Sequence, residues 1–277
     1  MHFITDPACS WSWATEPAVR KLMVEFGDEL SFTWVMGGLA RDYASEPGGR
    51  AELVTHWLDV GDQSRMPVDP RLWSEGPIGS TYPACMAVKA AQEQASDGGY
   101  AYLRALREGL MCFRRKLDTT EALVEEARRV GLDVERFRID LGSHAIVEAF
   151  GSDLEEARSV PDEAQAEGQS KPAGSAKRMT FPSAIFIGGD GARHSVFGYS
   201  AYEDYRAAAE AAGARGGGEP APGVVEALRR YGRLATAEVE AVCGLATPPA
   251  AAELWRLATE WKVKPTRVLT GYLWELA

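Results

Sequence analysis

The chain has 277 residues, 45% of them hydrophobic, and a net charge of −10 at pH 7, which allows one large domain or two smaller ones. The acidic balance argues against a general affinity for nucleic acid or anionic membranes, and no apolar run reaches the roughly 18 residues that span a bilayer. The start, Met1-His2-Phe3-Ile4-Thr5-Asp6, has no basic region, signal-like stretch or cleavage site, so a cytoplasmic location is expected.

Phe3 and Ile4 predict a first strand, and Cys9 stands where it turns into a helical pattern. Val19, Leu22, Met23 and Phe26 recur at i, i+3, i+4 and i+7 and make one apolar helix face, with Gly27 as its stop. Leu30 to Met36 reads as a strand closed by Gly37-Gly38. This β-turn-α-β opening requires a parallel pair with a right-handed crossover. Residues 50–60 predict a short helix, and the Pro- and Gly-rich stretch from Gly61 to Pro83 an irregular loop. Ala84 to Arg115 is helical, with Leu103, Leu106, Leu110 and Phe113 on one seam and Arg114-Arg115-Lys116 as a solvated helix end. In Asp118-Thr119-Thr120-Glu121, Asp118 is the expected N-cap and Glu121 reaches back, opening a helix that Gly131 closes.

Asp133 to Arg158 is expected as two helical pieces, and 159–178 as a loop or weak helix. Met179 to Ile187 reads as a strand, Gly188 to Gly191 as a hairpin turn, Ser195 to Tyr199 as the returning strand, and Tyr202 to Ala212 as a helix. Arg215 to Gly223 has a linker's composition. A separate small module follows. Helices begin at Val224, Thr236 and Pro248, and two short strands flank Thr270-Gly271, the outline of a winged helix-turn-helix. Its 7 Lys and Arg against 6 Glu after residue 220, and a third helix opening Pro248-Pro249-Ala250-Ala251, argue against DNA recognition. Trp255, Trp261 and Trp274 are expected as its core or a protein-docking face.

Four cysteines, Cys9, Cys85, Cys112 and Cys243, show no metal-ligand spacing, so no metal is expected. A reducing compartment would keep them as free thiols. Cys85, Cys112 and Cys243 read as core residues. Cys9 lies at a helix N-terminus, where the dipole favours a thiolate. Its spacing is that of Cys-x-x-Cys, but Ser12 holds the second position. The residues alone leave Cys9 open between a buried cysteine and a site thiol. Ser12 is open between a helix-start serine and a hydrogen-bond donor to Cys9. Trp11 and Trp13 either line an apolar groove or divide between surface and core. Pro182 could simply start a strand in trans. His2, His56, His144 and His194 form no readable set.

Three segments carry a family likeness: Asp6-Pro7-Ala8-Cys9-Ser10-Trp11-Ser12-Trp13-Ala14-Thr15-Glu16-Pro17, Tyr82-Pro83-Ala84-Cys85-Met86-Ala87-Val88-Lys89-Ala90-Ala91 and Thr180-Phe181-Pro182-Ser183-Ala184-Ile185-Phe186. From Met1 to about Ala212 the chain resembles the DsbA-like branch of the thioredoxin superfamily, especially its FrnE-like cytoplasmic members. The resemblance implies an α/β thioredoxin-like fold with an inserted helical domain. Cys9 would be the nucleophile, Pro182 a cis-proline against it, and Phe181 a source of backbone contacts to substrate. With Ser12 in place of the second cysteine, no dithiol cycle can run within the motif, because release of a mixed disulfide needs another thiolate. Kappa-class glutathione transferases and 2-hydroxychromene-2-carboxylate isomerases share the scaffold, and Ser12-Trp13 is similar to their serine-aromatic pair.

The expected organisation is a thioredoxin-like domain at 1–80 and 175–213, an inserted helical domain at 81–174, and a C-terminal winged-helix-like module at 221–277. The leading functional expectation is a cytoplasmic thiol-disulfide oxidoreductase with one motif thiol, Cys9, served by Ser12 and Pro182, with Trp11, Trp13 and Phe181 at the substrate. No tightly bound cofactor is expected, and glutathione or another low-molecular-weight thiol is the candidate. The substrate would be a protein or small-thiol disulfide. The alternatives are a non-catalytic adaptor, as some cytoplasmic relatives of the scaffold are for proteases, using this face and the C-terminal module for a protein partner, and a glutathione-transferase-like or isomerase-like enzyme.

Overall fold

The computed structural model describes residues 1–45, 49–217 and 220–277. Strand β1 (His2–Thr5) leads through the Cys9 turn into one helical turn, α1 (Ser10–Ala14), then α2 (Glu16–Phe26) and β2 (Thr33–Met36). β2 returns parallel to β1, with Phe3 opposite Trp34. The helical block follows: α3 (Gly49–Ser64), α4 (Leu72–Glu75), α5 (Tyr82–Gln92), α6 (Tyr100–Met111), α7 (Thr120–Arg129), α8 (Val134–Leu141), α9 (His144–Arg158) and α10 (Asp162–Ala166). The hairpin β3 (Ser170–Ala173) and β4 (Ala176–Met179) leads to β5 (Ser183–Ile187), β6 (Arg193–Phe197) and α11 (Tyr202–Ala211). The central sheet has the order β2-β1-β5-β6, with β5 antiparallel to both neighbours. Among the described residues no helix is long and apolar enough to cross a membrane.

Several elements differ from expectation. The helix predicted over 50–60 runs from Gly49 to Ser64, and α4 interrupts the expected loop. The long helix from Ala84 to Arg115 is two helices, because Gly98 and Gly99 adopt φ of +63° and +80°, a region that costs a side-chain-bearing residue. Thr119, not Asp118, caps α7, through Ala122 N at 3.4 Å; Asp118 instead accepts the amide of Gly79 at 2.7 Å. The stretch expected as loop or weak helix holds α10 and the β3–β4 hairpin, whose turn contains the boundary expected at 174/175. Met179 and Ser183 belong to different strands, because the chain turns at Phe181-Pro182.

The C-terminal segment comprises α12 (Val224–Tyr231), β7 (Leu234–Ala235), α13 (Thr236–Cys243), α14 (Pro249–Thr259), β8 (Val263–Val268) and β9 (Gly271–Leu276), with the three strands in the order β7-β9-β8. Gly218 and Glu219 of the expected linker lie outside the described residues. The segment has a small core of its own around Leu228, Val239, Leu254 and Trp274. It is also built into the main body, since Ala235, Ala237, Val268 and Leu273 join the principal core. At the tip of the β8–β9 hairpin, Thr270 Oγ1 accepts the amide of Val68 at 2.8 Å. Arg65 pairs with Glu240 at 2.6 Å. Trp274 is core, whereas Trp255 is half exposed and Trp261 is 86% exposed.

Candidate functional site

Cys9 is the N-cap of α1, and its sulfur accepts the amide of Ser12 at 3.4 Å. The thiol donates to the carbonyl of Phe181 at 3.6 Å. The Phe181–Pro182 peptide is cis, and Pro182 is buried with its carbonyl held by the amide of Gly198 at 2.8 Å. Residues 172 positions apart therefore meet at the end of the β1–β5 pair. Phe181 turns its ring inward, over the backbone of Gly37 and under the guanidinium of Arg178, 4.1 Å from the ring centre. A Cβ on Gly37 would lie 2.0 Å from Phe181 Cζ. Only the absence of a side chain at 37 lets the ring sit there.

Cys9 is 5% exposed. Burial pushes its thiol above the ordinary range; the Ser12 hydroxyl and amide pull it back, the Asp6 charge raises it and that of Arg178 lowers it. Burial wins because α1 is a single turn whose dipole is small, whereas a desolvated thiolate loses most of its hydration. The poised thiolate expected at a helix N-terminus is thus corrected to a thiol that resists ionisation. The Ser12 amide makes the one hydrogen bond of ordinary geometry to the sulfur. The buried Ser12 hydroxyl lies near the sulfur without a hydrogen-bond partner of ordinary geometry.

Trp11 and Trp13 divide. Trp13 is fully buried, donates Nε1–H to Pro67 O at 3.0 Å, and lies 4.4 Å below the Arg104 guanidinium. The expectation that it contacts substrate is corrected, because it stands two residues, about 200° of helix, round from the half-buried Trp11 and points into the core. Trp11 stays half-buried beside the site. Its ring packs on Tyr199 at 5.0 Å and edge-on to His56 at 6.0 Å. Tyr199 and His56 come from remote stretches, and no spacing signal marked them.

Asp6 also escaped the sequence reading. It is fully buried below the Cys9 turn. Its carboxylate accepts the amides of Ala8 at 2.8 Å and Leu39 at 2.6 Å, the Thr81 hydroxyl at 2.8 Å and the Cys85 thiol at 3.3 Å. Burial raises its pKa and these four donors oppose the rise. Cys85, expected as plain core, is thereby a donor. All four cysteines are free thiols. Cys112 donates to Pro67 O at 3.3 Å, and Cys243 is half-buried, its pKa pushed up to about 11 by burial. Among the described residues no group of three or more His, Cys, Asp and Glu is placed to hold a metal ion.

Known proteins bear out this architecture. The chain is 32% identical over 161 residues to the ClpXP adapter protein SpxH of Halalkalibacterium halodurans, covering 56% of this chain and 53% of that protein. It is 27% identical over 284 residues to the SpxH of Shouchella clausii, covering 99% and 87%. The chain spans about half the length of the first of these curated relatives. Among solved structures it is similar to a putative protein disulfide isomerase from Nitrosomonas europaea, with a TM-score of 0.61 and 21% identity over 76% of this chain and 95% of that one. It is also similar to the cytosolic disulfide reductase DsbM of Pseudomonas aeruginosa, with a TM-score of 0.54 and 17% identity over 76% and 93%. At these identities the likeness concerns the fold. Residues 2–161 match the thioredoxin family model. With more than half of its length so matched, and a buried cysteine set at the start of its first helix, the chain belongs to the thioredoxin family.

Proposed function

We propose that this chain is a thioredoxin-fold adapter, which binds a protein partner through the face around Trp11, Tyr199 and Pro182 and through its C-terminal segment. The observation that carries this is the state of Cys9. Its thiol is buried, engaged with Phe181 O, held above the ordinary pKa, and followed at the motif's second position by Ser12. A disulfide exchanger needs an accessible thiolate and a second thiol for release; an adapter needs neither. The curated relatives carry the name ClpXP adapter protein, so the partner class is ClpXP together with a protein delivered to it, in the cytoplasm. The test is binding of the full chain to purified cognate ClpXP. Cys9→Ser is expected to bind within about twofold of the unaltered chain, since the buried sulfur's two weak hydrogen bonds, from Ser12 N and to Phe181 O, both lie within the chain. Absence of binding, or its loss in Cys9→Ser, would sink the reading.

A second reading, a monothiol exchanger, is favoured by the juxtaposition of Cys9 with the Phe181–Pro182 backbone. In it the Cys9 thiolate attacks glutathione disulfide, forming a mixed disulfide and releasing glutathione, and a further thiol releases Cys9. A glutathione adduct on the Cys9 peptide under native conditions, forming faster than on Cys243, would support it.

A further inference from the structure

A cleft of about 640 Å³ opens between α6, α7 and the end of α12, away from Cys9. Six arginines line it: Arg20, Arg104, Arg115, Arg129, Arg230 and Arg233. This is an unusual concentration in a chain of net charge −10. Three carboxylates share the wall, and each is already engaged from within. Asp97 accepts the amides of Gly99 at 3.0 Å and Ala101 at 2.7 Å. Glu126 is held by Arg115 at 2.9 Å and Arg129 at 3.4 Å. Glu108 is held by Arg104 at 2.9 Å and Arg233 at 3.0 Å.

The two kinds of charge face opposite ways. The side chains of Glu126 and Glu108 are 3% and 10% exposed, whereas those of Arg129, Arg115 and Arg233 are 44%, 32% and 28% exposed. Glu126 and Glu108 thus hold these guanidinium groups from the buried side of the wall, while Glu125, nearer the surface, lies 3.6 Å from Arg129 and Glu275 3.0 Å from Arg233. Each guanidinium has five donors, and a bidentate carboxylate takes two of them. Both Nη groups of Arg233 are paired, and its Nε is buried without a hydrogen-bond partner. Arginines held in place by buried acids are preorganised, which lowers the ordering cost of binding. Two such braces in one concavity of small-molecule size match a ligand that carries several anionic groups close together.

We propose that this cleft binds a small oligophosphate, through Arg115, Arg129, Arg230 and Arg233. The shared chemistry, a run of phosphoryl groups, occurs both in inorganic oligophosphates and in nucleoside triphosphates. The test is calorimetric titration of the full chain with inorganic tripolyphosphate and, separately, with ATP. One-site binding that weakens as ionic strength rises is expected. The Arg129→Gln/Arg230→Gln double variant should bind about tenfold or more weakly, as loss of two charge-assisted contacts implies. The charge-retaining Arg129→Lys/Arg230→Lys variant should recover part of the affinity, and Arg256→Gln on α14 should change nothing. Equal affinity for the two probes assigns the site to the phosphate chain alone, and tighter ATP binding to a nucleotide; either supports the proposal. No binding of either probe at millimolar concentration overturns it. So does binding that the double variant leaves intact, or an aspartate-rich peptide that binds more tightly than both probes.

Discussion

Cys9 contributes a hydrogen bond rather than a charge. Its sulfur accepts from Ser12 N and its proton points at Phe181 O, so ionisation would remove a donor and strand an anion among apolar neighbours such as Ile4, Val35 and Phe197. Alkylation of Cys9, followed by peptide mass spectrometry against pH, is expected to show an apparent pKa above the ordinary value of about 8.5. A midpoint well below that would restore the poised-thiolate reading. Gly37 sets the position of the Phe181 ring. Gly37→Ala would force the ring out of its seat, at a cost of about 1–3 kcal/mol, as for other overpacked sites. Denaturant unfolding measures this, and an unchanged midpoint would mean that the ring is free to move. The motif made Cys9 and Ser12 visible in the sequence. Asp6 and Gly37 were not, because their importance lies in what folds over them.

At the scale of elements, α6 joins the parts of the molecule. Its apolar seam, Leu103, Leu106 and Leu110, is legible from spacing alone and is buried. Its charged flank, Arg104, Arg107 and Glu108, is buried as well. Arg104 bonds Glu16 at 3.1 Å and both oxygens of Glu238, at 2.6 and 2.7 Å, while Arg107 pairs with Glu16 and Thr5. Tyr100 donates to Glu16 at 2.6 Å. Glu238 also accepts the amide of Ala235 at 2.7 Å and so caps its own helix. Removing one member of a buried pair strands the other, at a cost of about 3–5 kcal/mol. Glu238→Gln is therefore expected to lower stability by an amount of that order and to speed hydrogen exchange in Thr236–Cys243 before it does so in the central sheet. Uniform exchange across both would show that α13 is not held by this pair.

Over the whole molecule, the same network makes stability depend on pH. Burial alone would raise the pKa of Glu16, but Arg107, Arg104 and Arg20, with the Tyr100 hydroxyl, overcome it and hold the carboxyl down to about 2. A depressed folded pKa contributes stability that is complete above the unfolded value, about 4.3, and is lost as pH falls from there to about 2. Asp6 and Asp153 act in the opposite sense, since burial raises both, and their protonation partly offsets the loss. The Tm difference between the unaltered chain and Glu16→Gln isolates the Glu16 contribution. It should be widest near neutrality and should narrow as pH falls from about 4.3 toward 2. A gap that does not vary with pH would mean that Glu16 carries no shifted proton.

The sequence by itself determined the local elements and the order of the fold: the β-turn-α-β opening, the seam of α6, the returning hairpin β5–β6 and the three helices and hairpin at the C-terminus. Periodicity, turn chemistry and the motif around Cys9 are properties of neighbouring residues, and they survive without the rest of the chain. The tertiary structure alone decided which polar residues are buried and which thiols resist ionisation. Glu16 and Glu238 meet on Arg104 only because three distant stretches pack together, and a charge buried in such company depends on partners that no window of sequence contains. Cys9 followed the same rule. Its helix N-terminus was legible locally, but the water excluded by Phe181, Pro182 and the sheet beneath it was not, and desolvation outweighs the dipole of a single turn.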